Sequence, residues 1–124
     1  MNALIVFIGG GLGAALRHGV NVAVARMLGT GFNYATLFEN VSGSLVMGLL
    51  VGYFAFKGGV SQHWRLFLTT GILGGYTTFS AFSLDTILLY ERGELGLATL
   101  YVILSVAFSV GGLWLGLGLM KHLA

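Results

Sequence analysis

Residues 71–85 read GILGGYTTFSAFSLD, inside a longer apolar stretch. Three glycines, two threonines, two phenylalanines and two serines fall in this run, where a membrane helix would ordinarily be uniformly apolar. Gly74-Gly75 followed by Thr77-Thr78 predicts a helix broken at mid-membrane depth. Backbone amides and carbonyls freed by such a break are tolerated in a bilayer only when they are buried in protein or line a hydrated cavity. Freed carbonyls are also natural ligands for a small hard cation such as Na⁺. The competing reading is an unbroken helix whose glycines serve close packing.

The rest of the chain gives this run its setting. Of 124 residues, 56% are hydrophobic and 8% charged, with 21 glycines, no proline and no cysteine. Soluble domains carry about 25% charged residues, so the composition is that of an all-α integral membrane protein. One span uses about 20 mostly apolar residues. Polar interruptions divide residues 1–124 into a single domain of four expected spans, at about 3–28, 34–56, 64–90 and 95–120. The loops between them read GTGFN, KGGVSQ and ERGE. The N-terminal stretch lacks a basic start, and its apolar run continues past Arg17, so it reads as a retained span rather than a signal peptide.

Several function classes fall away on the same grounds. Scattered basic residues with a net charge of +2 leave no nucleic-acid footprint. Thiol chemistry is excluded by the lack of cysteine. No G-x-x-x-x-G-K-[ST] loop offers a site for ATP, and the glycine clusters lie within spans rather than between a strand and a helix. His18, His63 and His122 are isolated and read as interfacial or loop residues. The chain does not read as an enzyme.

Charge also bears on orientation. Lys57, Arg65 and Lys121 fall on one side of a four-span chain and Arg26 and Arg92 on the other, which is hardly a bias by the positive-inside rule. Such a chain can insert both ways up, so that two copies assemble antiparallel. A single, weakly set orientation is the alternative.

Polar and small residues mark faces that meet protein or water. Asn40, Ser44, Gly48 and Gly52 share one face of the second span, and Tyr101, Ser105 and Ser109 one face of the fourth, continued by Gly112 and Gly116. Small-residue packing accounts for the glycines; a face carrying amide and hydroxyls together also suits a hydrated path. Phe79 and Phe82 lie on one face, Ser80 and Ser83 on the next. Ring edges carry positive quadrupole potential, and with hydroxyl and amide hydrogens they would suit a small anion that must shed water without being held too tightly. Arg17 either draws anions to a pore mouth or is a structural cation, paired with a carboxylate or capping carbonyls near a helix end. Asp85 is a further ionisable residue inside a span. Glu39 could face water, pair with Arg17 or a basic loop residue, or carry a proton.

Three stretches, GGGLGAALRH in the first span, ATLFENVSGSLVMG in the second and TTGILGGYTTFSAFS in the third, resemble in order and spacing the signature stretches of the Fluc fluoride channels, also called CrcB. The resemblance covers essentially the whole chain. It implies a dual-topology antiparallel homodimer in the inner (plasma) membrane, with lipid around it, two fluoride pores, and a structural Na⁺ at the dimer centre. It assigns the Na⁺ to backbone carbonyls of Gly74 and Thr77. It also implies that Phe79 and Phe82 form a phenylalanine pair in the pore, that Asn40 is the pore asparagine, that Tyr101, Ser105 and Ser109 form a polar track, and that Arg17 stands near the pore entrance. Thr78 and Ser80 adjoin these groups and join the expected lining. Two positions depart from the family pattern: Glu39, where a small or apolar residue is usual, and Ala81, where threonine or serine is common.

A passive fluoride pore has a simple chemical purpose. Neutral HF crosses membranes from acidic surroundings and dissociates in a near-neutral cytoplasm, trapping the anion. An inside-negative potential, worth about 2.3 kcal/mol per charge per 100 mV, then drives fluoride out without another energy source. The alternative in a different class is a small, dual-topology, proton-coupled multidrug exporter built around Glu39, a reading that leaves the phenylalanine pair without a role. A third reading is an accessory subunit inert by itself.

Overall fold

A computed structural model describes residues 1–29 and 31–123; Thr30, in the loop GTGFN, and Ala124 lie outside them. The secondary-structure elements of the described residues are all helices. Helix α1 spans Asn2–Leu28 and α2 Tyr34–Phe56. The third segment begins with α3 (Gln62–Arg65), continues through a π-helical stretch (Leu66–Leu73) into α4 (Gly74–Tyr76), and ends with α5 (Phe79–Glu91). Helix α6 spans Leu95–Leu123. Four stretches, Asn2–Leu28, Tyr34–Phe56, Gln62–Glu91 and Leu95–Leu123, are long and apolar enough to cross a membrane.

The helices pack as two parallel pairs. Contacts between α2 and α6 climb together in sequence: Gly112 lies against Val41 and Leu45, Gly116 against Leu45 and Leu49, Gly48 against Leu113, and Gly52 against Leu117 and Met120. A methyl group at Gly48 would overlap the Leu113 carbonyl, so the pair approaches backbone to backbone, as the seam of small residues implies. On the other side α1 lies along the third segment. A methyl group at Gly13 would overlap the Ile72 carbonyl, and one at Gly75 the Gly10 carbonyl.

Buried side chains are few. Leu89, Ala98 and Tyr101 form a small core with Phe32, Leu37 and Phe82 packed around it. Large apolar side chains otherwise face outward along every span, as a bilayer solvent requires rather than an aqueous one.

Candidate functional site

The third segment leaves helical backbone geometry at two residues. Thr77 (φ −85°, ψ 154°) and Thr78 (φ −150°, ψ 121°) are extended between helical runs. Gly74 and Gly75 are themselves helical. Local chemistry explains why α5 begins where it does: the Thr78 hydroxyl accepts the Ala81 N–H at 3.2 Å, an N-cap that satisfies one orphan donor of the new helix. The Thr77 hydroxyl turns back to donate to the Leu73 carbonyl at 2.9 Å.

Asn40 holds this place from the neighbouring helix. Its Oδ1 accepts the Thr78 N–H at 2.7 Å, and its Nδ2 donates to the Thr78 carbonyl at 3.0 Å. One side-chain amide thus supplies both hydrogen bonds that an extended residue cannot make within its own helix. Three nearby carbonyls are affected. In a continuous α-helix the Gly74 carbonyl would receive the Thr78 N–H and the Thr77 carbonyl the Ala81 N–H; both donors are diverted, to Asn40 and to the Thr78 hydroxyl. The Gly75 carbonyl accepts from Arg17 Nε at 3.1 Å. Arg17 thus caps a carbonyl of the third segment through its Nε.

A cleft of about 280 Å³ lies beside the bend. It brings together Asn40, Thr78, Phe79, Phe82, Ser105 and Ser109 of the expected lining, and adds Ser44, Thr77, Val106 and Val110. The Ser105 and Ser109 hydroxyls are buried and have no hydrogen-bond partner among the described residues. Two uncommitted hydroxyls in an apolar wall are free to donate to whatever occupies the cleft. The Phe79 and Phe82 rings sit 5.5 Å apart at 52°. Phe82 packs on Tyr101 at 5.4 Å, whereas Phe79 is 77% exposed.

Two expected residues stand outside the cleft wall. Tyr101 is fully buried behind Phe82, and its hydroxyl donates to Asp85 Oδ2 at 3.0 Å. Ser80 pairs its hydroxyl with that of Thr78 at 3.3 Å. Asp85 opens instead on a second, polar cleft of about 280 Å³, shared with Asn21, Asn33 and Thr36. Its intramembrane charge marked it in sequence, but its partner lies sixteen positions away on another helix. Ser44 belonged to the polar stripe without being assigned a role.

Glu39 neither faces water nor pairs with a base. It is fully buried, and neither carboxyl oxygen has a hydrogen-bond partner among the described residues. It does not line the cleft that holds Asn40.

Comparison with known proteins identifies a family. The family described as CrcB-like protein, Camphor Resistance (CrcB), matches residues 4–117. The chain is 69% identical over 121 residues to a fluoride-specific ion channel FluC of Rhodopseudomonas palustris, covering 98% of both chains. It is 64% identical over 123 residues to a fluoride-specific ion channel FluC 2 of Nitrobacter hamburgensis, covering 99% of both. A Methylobacterium nodulans protein of the same description is 57% identical over 122 residues, with 98% of each chain covered.

Proposed function

Because the chain belongs to the CrcB family, a family of multi-pass proteins of the bacterial plasma membrane, we propose that it is a passive, fluoride-selective channel that lets cytoplasmic fluoride escape. The observation that carries this reading is the cleft beside Thr77–Thr78, where buried, unpartnered Ser105 and Ser109 hydroxyls share a wall with Phe79 and Phe82. Fluoride is small and strongly hydrated, so a pore must replace its water with donors at close quarters. Hydroxyl hydrogens and aromatic edges supply partial positive charge. A full cation in the wall would hold the ion too long, since conduction needs sites strong enough to enter and weak enough to leave.

The remaining residues position this wall. Asn40 fixes Thr78 and retains one N–H beyond the bond it donates. Arg17 anchors the bend from α1 through the Gly75 carbonyl. Tyr101 backs Phe82, with its hydroxyl held by Asp85. Ser80 steadies the Thr78 hydroxyl from the far side of the turn.

The working unit we propose is an antiparallel homodimer with two pores, in which the third helix is broken at mid-membrane. The exposed Phe79 ring and the apolar outer face of α5 at Leu84, Ile87 and Leu88 are surface for a second copy to cover. Na⁺ fits the bend, because the Gly74 and Thr77 carbonyls both lack their helical donors and face a break rather than a helix turn. Those two carbonyls would hold the ion, which when bound supplies a fixed positive charge that locks the bend.

The exporter reading is not favoured. A carboxylate that binds substrate must be reachable, and Glu39 is sealed inside the helix packing. A bacterium lacking its own fluoride exporter, transformed with this chain, tests the proposed function. Growth in fluoride at low external pH is expected to be restored, and restoration is expected to fail with Phe82→Ile. Failure of the unsubstituted, membrane-inserted chain to protect would contradict the proposal.

A further inference from the structure

At one end of the molecule the charged side chains among the described residues are all basic. Because α2 and α6 run parallel, Lys57 after α2 and Lys121 and His122 in the last turn of α6 come to the same end. His63 and Arg65, at the start of the third segment, belong to that end too. Of the four acidic side chains, Glu39 and Asp85 lie inside spans and Glu91 and Glu94 at the opposite end, so no carboxylate side chain answers these bases.

A second feature coincides with this charge. A cleft of about 490 Å³ at this end is lined by Phe56 of α2 and by Trp114, Leu115, Gly118, Leu119, Lys121 and His122 of α6, with Gly118 as its floor. Gly118 leaves its floor open, with nothing near the position a methyl group would take. Trp114 is 75% exposed.

Basic residues at a helix C-terminus complement the helix dipole, and long basic side chains snorkel to an interface. Neither effect calls for an apolar channel leading up to them. We propose that this cleft is a specific site for an anionic phospholipid. Its phosphate sits on Lys121 and His122, with Lys57 adjoining, and one acyl chain lies over Gly118 against Trp114. Charge complementarity selects the headgroup, since each basic side chain near an anionic surface contributes attraction, and the apolar groove orders the tail. The inference rests on this chain's own surface and stands whether or not the protein conducts fluoride.

Trp64 and Trp114 are the only tryptophans, so Trp64→Phe leaves Trp114 as a single reporter inside the cleft. The full chain carrying that change would be reconstituted in phosphatidylcholine vesicles containing, at equal mole fraction, either phosphatidylglycerol or phosphatidylcholine with brominated acyl chains. Bromine quenches tryptophan only at short range. The brominated anionic lipid is expected to quench Trp114 with about fivefold preference, on the order of what one basic side chain contributes, and the preference is expected to fall in high salt. Adding Lys121→Gln and His122→Gln is expected to abolish the preference while the helical circular dichroism is retained, which shows that the fold is intact. Equal quenching by the two lipids, or a preference unchanged in the substituted chain, would overturn the proposal.

Discussion

The Asn40 side chain and the Thr78 backbone form a closed pair, with the Thr78 N–H donating to Oδ1 at 2.7 Å and Nδ2 donating to the Thr78 carbonyl at 3.0 Å. This reciprocal bond ties α2 to the one place where the third segment leaves helical geometry. It also diverts the donor that the Gly74 carbonyl would otherwise receive.

Removing the pair should therefore damage stability and conduction together. Asn40→Ala strands a backbone donor and an acceptor in a low-dielectric setting, at a cost of about 2–4 kcal/mol. Asn40→Asp keeps an acceptor for the Thr78 N–H but offers nothing to its carbonyl and adds negative charge beside the cleft. Both variants are expected to lose fluoride efflux by more than tenfold, measured from liposomes, and Asn40→Ala to melt at lower temperature in detergent. Efflux within twofold of the unsubstituted protein would contradict the role given to Asn40.

The orphan hydroxyls should behave in the opposite way. Ser105 and Ser109 have no hydrogen-bond partner among the described residues, so Ser105→Ala and Ser109→Ala remove unsatisfied polar atoms and are expected to leave the melting temperature unchanged or slightly raised. Efflux is expected to fall about tenfold in the double variant, equivalent to about 1.4 kcal/mol of barrier. Equal loss of stability and flux would mark these serines as structural.

Glu39 is expected to be dispensable. Replacing a buried carboxyl that has no hydrogen-bond partner with Gln is expected to keep efflux within about threefold, and Glu39→Leu to add on the order of 1 kcal/mol of stability. Abolished transport in both variants, read in the same liposome assay, would favour a carboxylate-dependent mechanism instead.

Small residues divide by what they face. A methyl group at Gly48 meets the Leu113 carbonyl, whereas one at Gly111 meets nothing. Gly48→Ala is expected to destabilise by about 1–3 kcal/mol and Gly111→Ala to stabilise by about 0.5–1 kcal/mol, as measured by thermal unfolding in detergent. The reverse order would contradict the close parallel packing of α2 on α6.

Much of this architecture is legible in sequence because bilayer physics is local. About 20 apolar residues in a row announce a span, and small residues spaced by four announce a packed face. Gly48, Gly52, Gly112 and Gly116 were readable on that basis and lie in the α2–α6 seam. The site is less legible because its bonds are long in sequence: Arg17 reaches Gly75 across 58 positions and Asn40 reaches Thr78 across 38. Sequence spacing put Phe79 and Phe82 on one face, yet only Phe82 finds Tyr101 while Phe79 points outward. Glu39 shows the same limit. Its type allowed water, an ion pair or a proton, and tertiary packing removed the first two. The π-helical stretch Leu66–Leu73 left no mark in the hydropathy pattern.

The most direct test of the central claim is efflux from liposomes loaded with potassium fluoride or potassium chloride, made permeable to potassium, and containing the purified protein. Ion-selective electrodes would follow both anions. Rapid fluoride release with little chloride release is the expected result. Release of both anions at similar rates, or of neither from vesicles shown to contain folded protein, would contradict the claim that this chain forms a fluoride-selective pore.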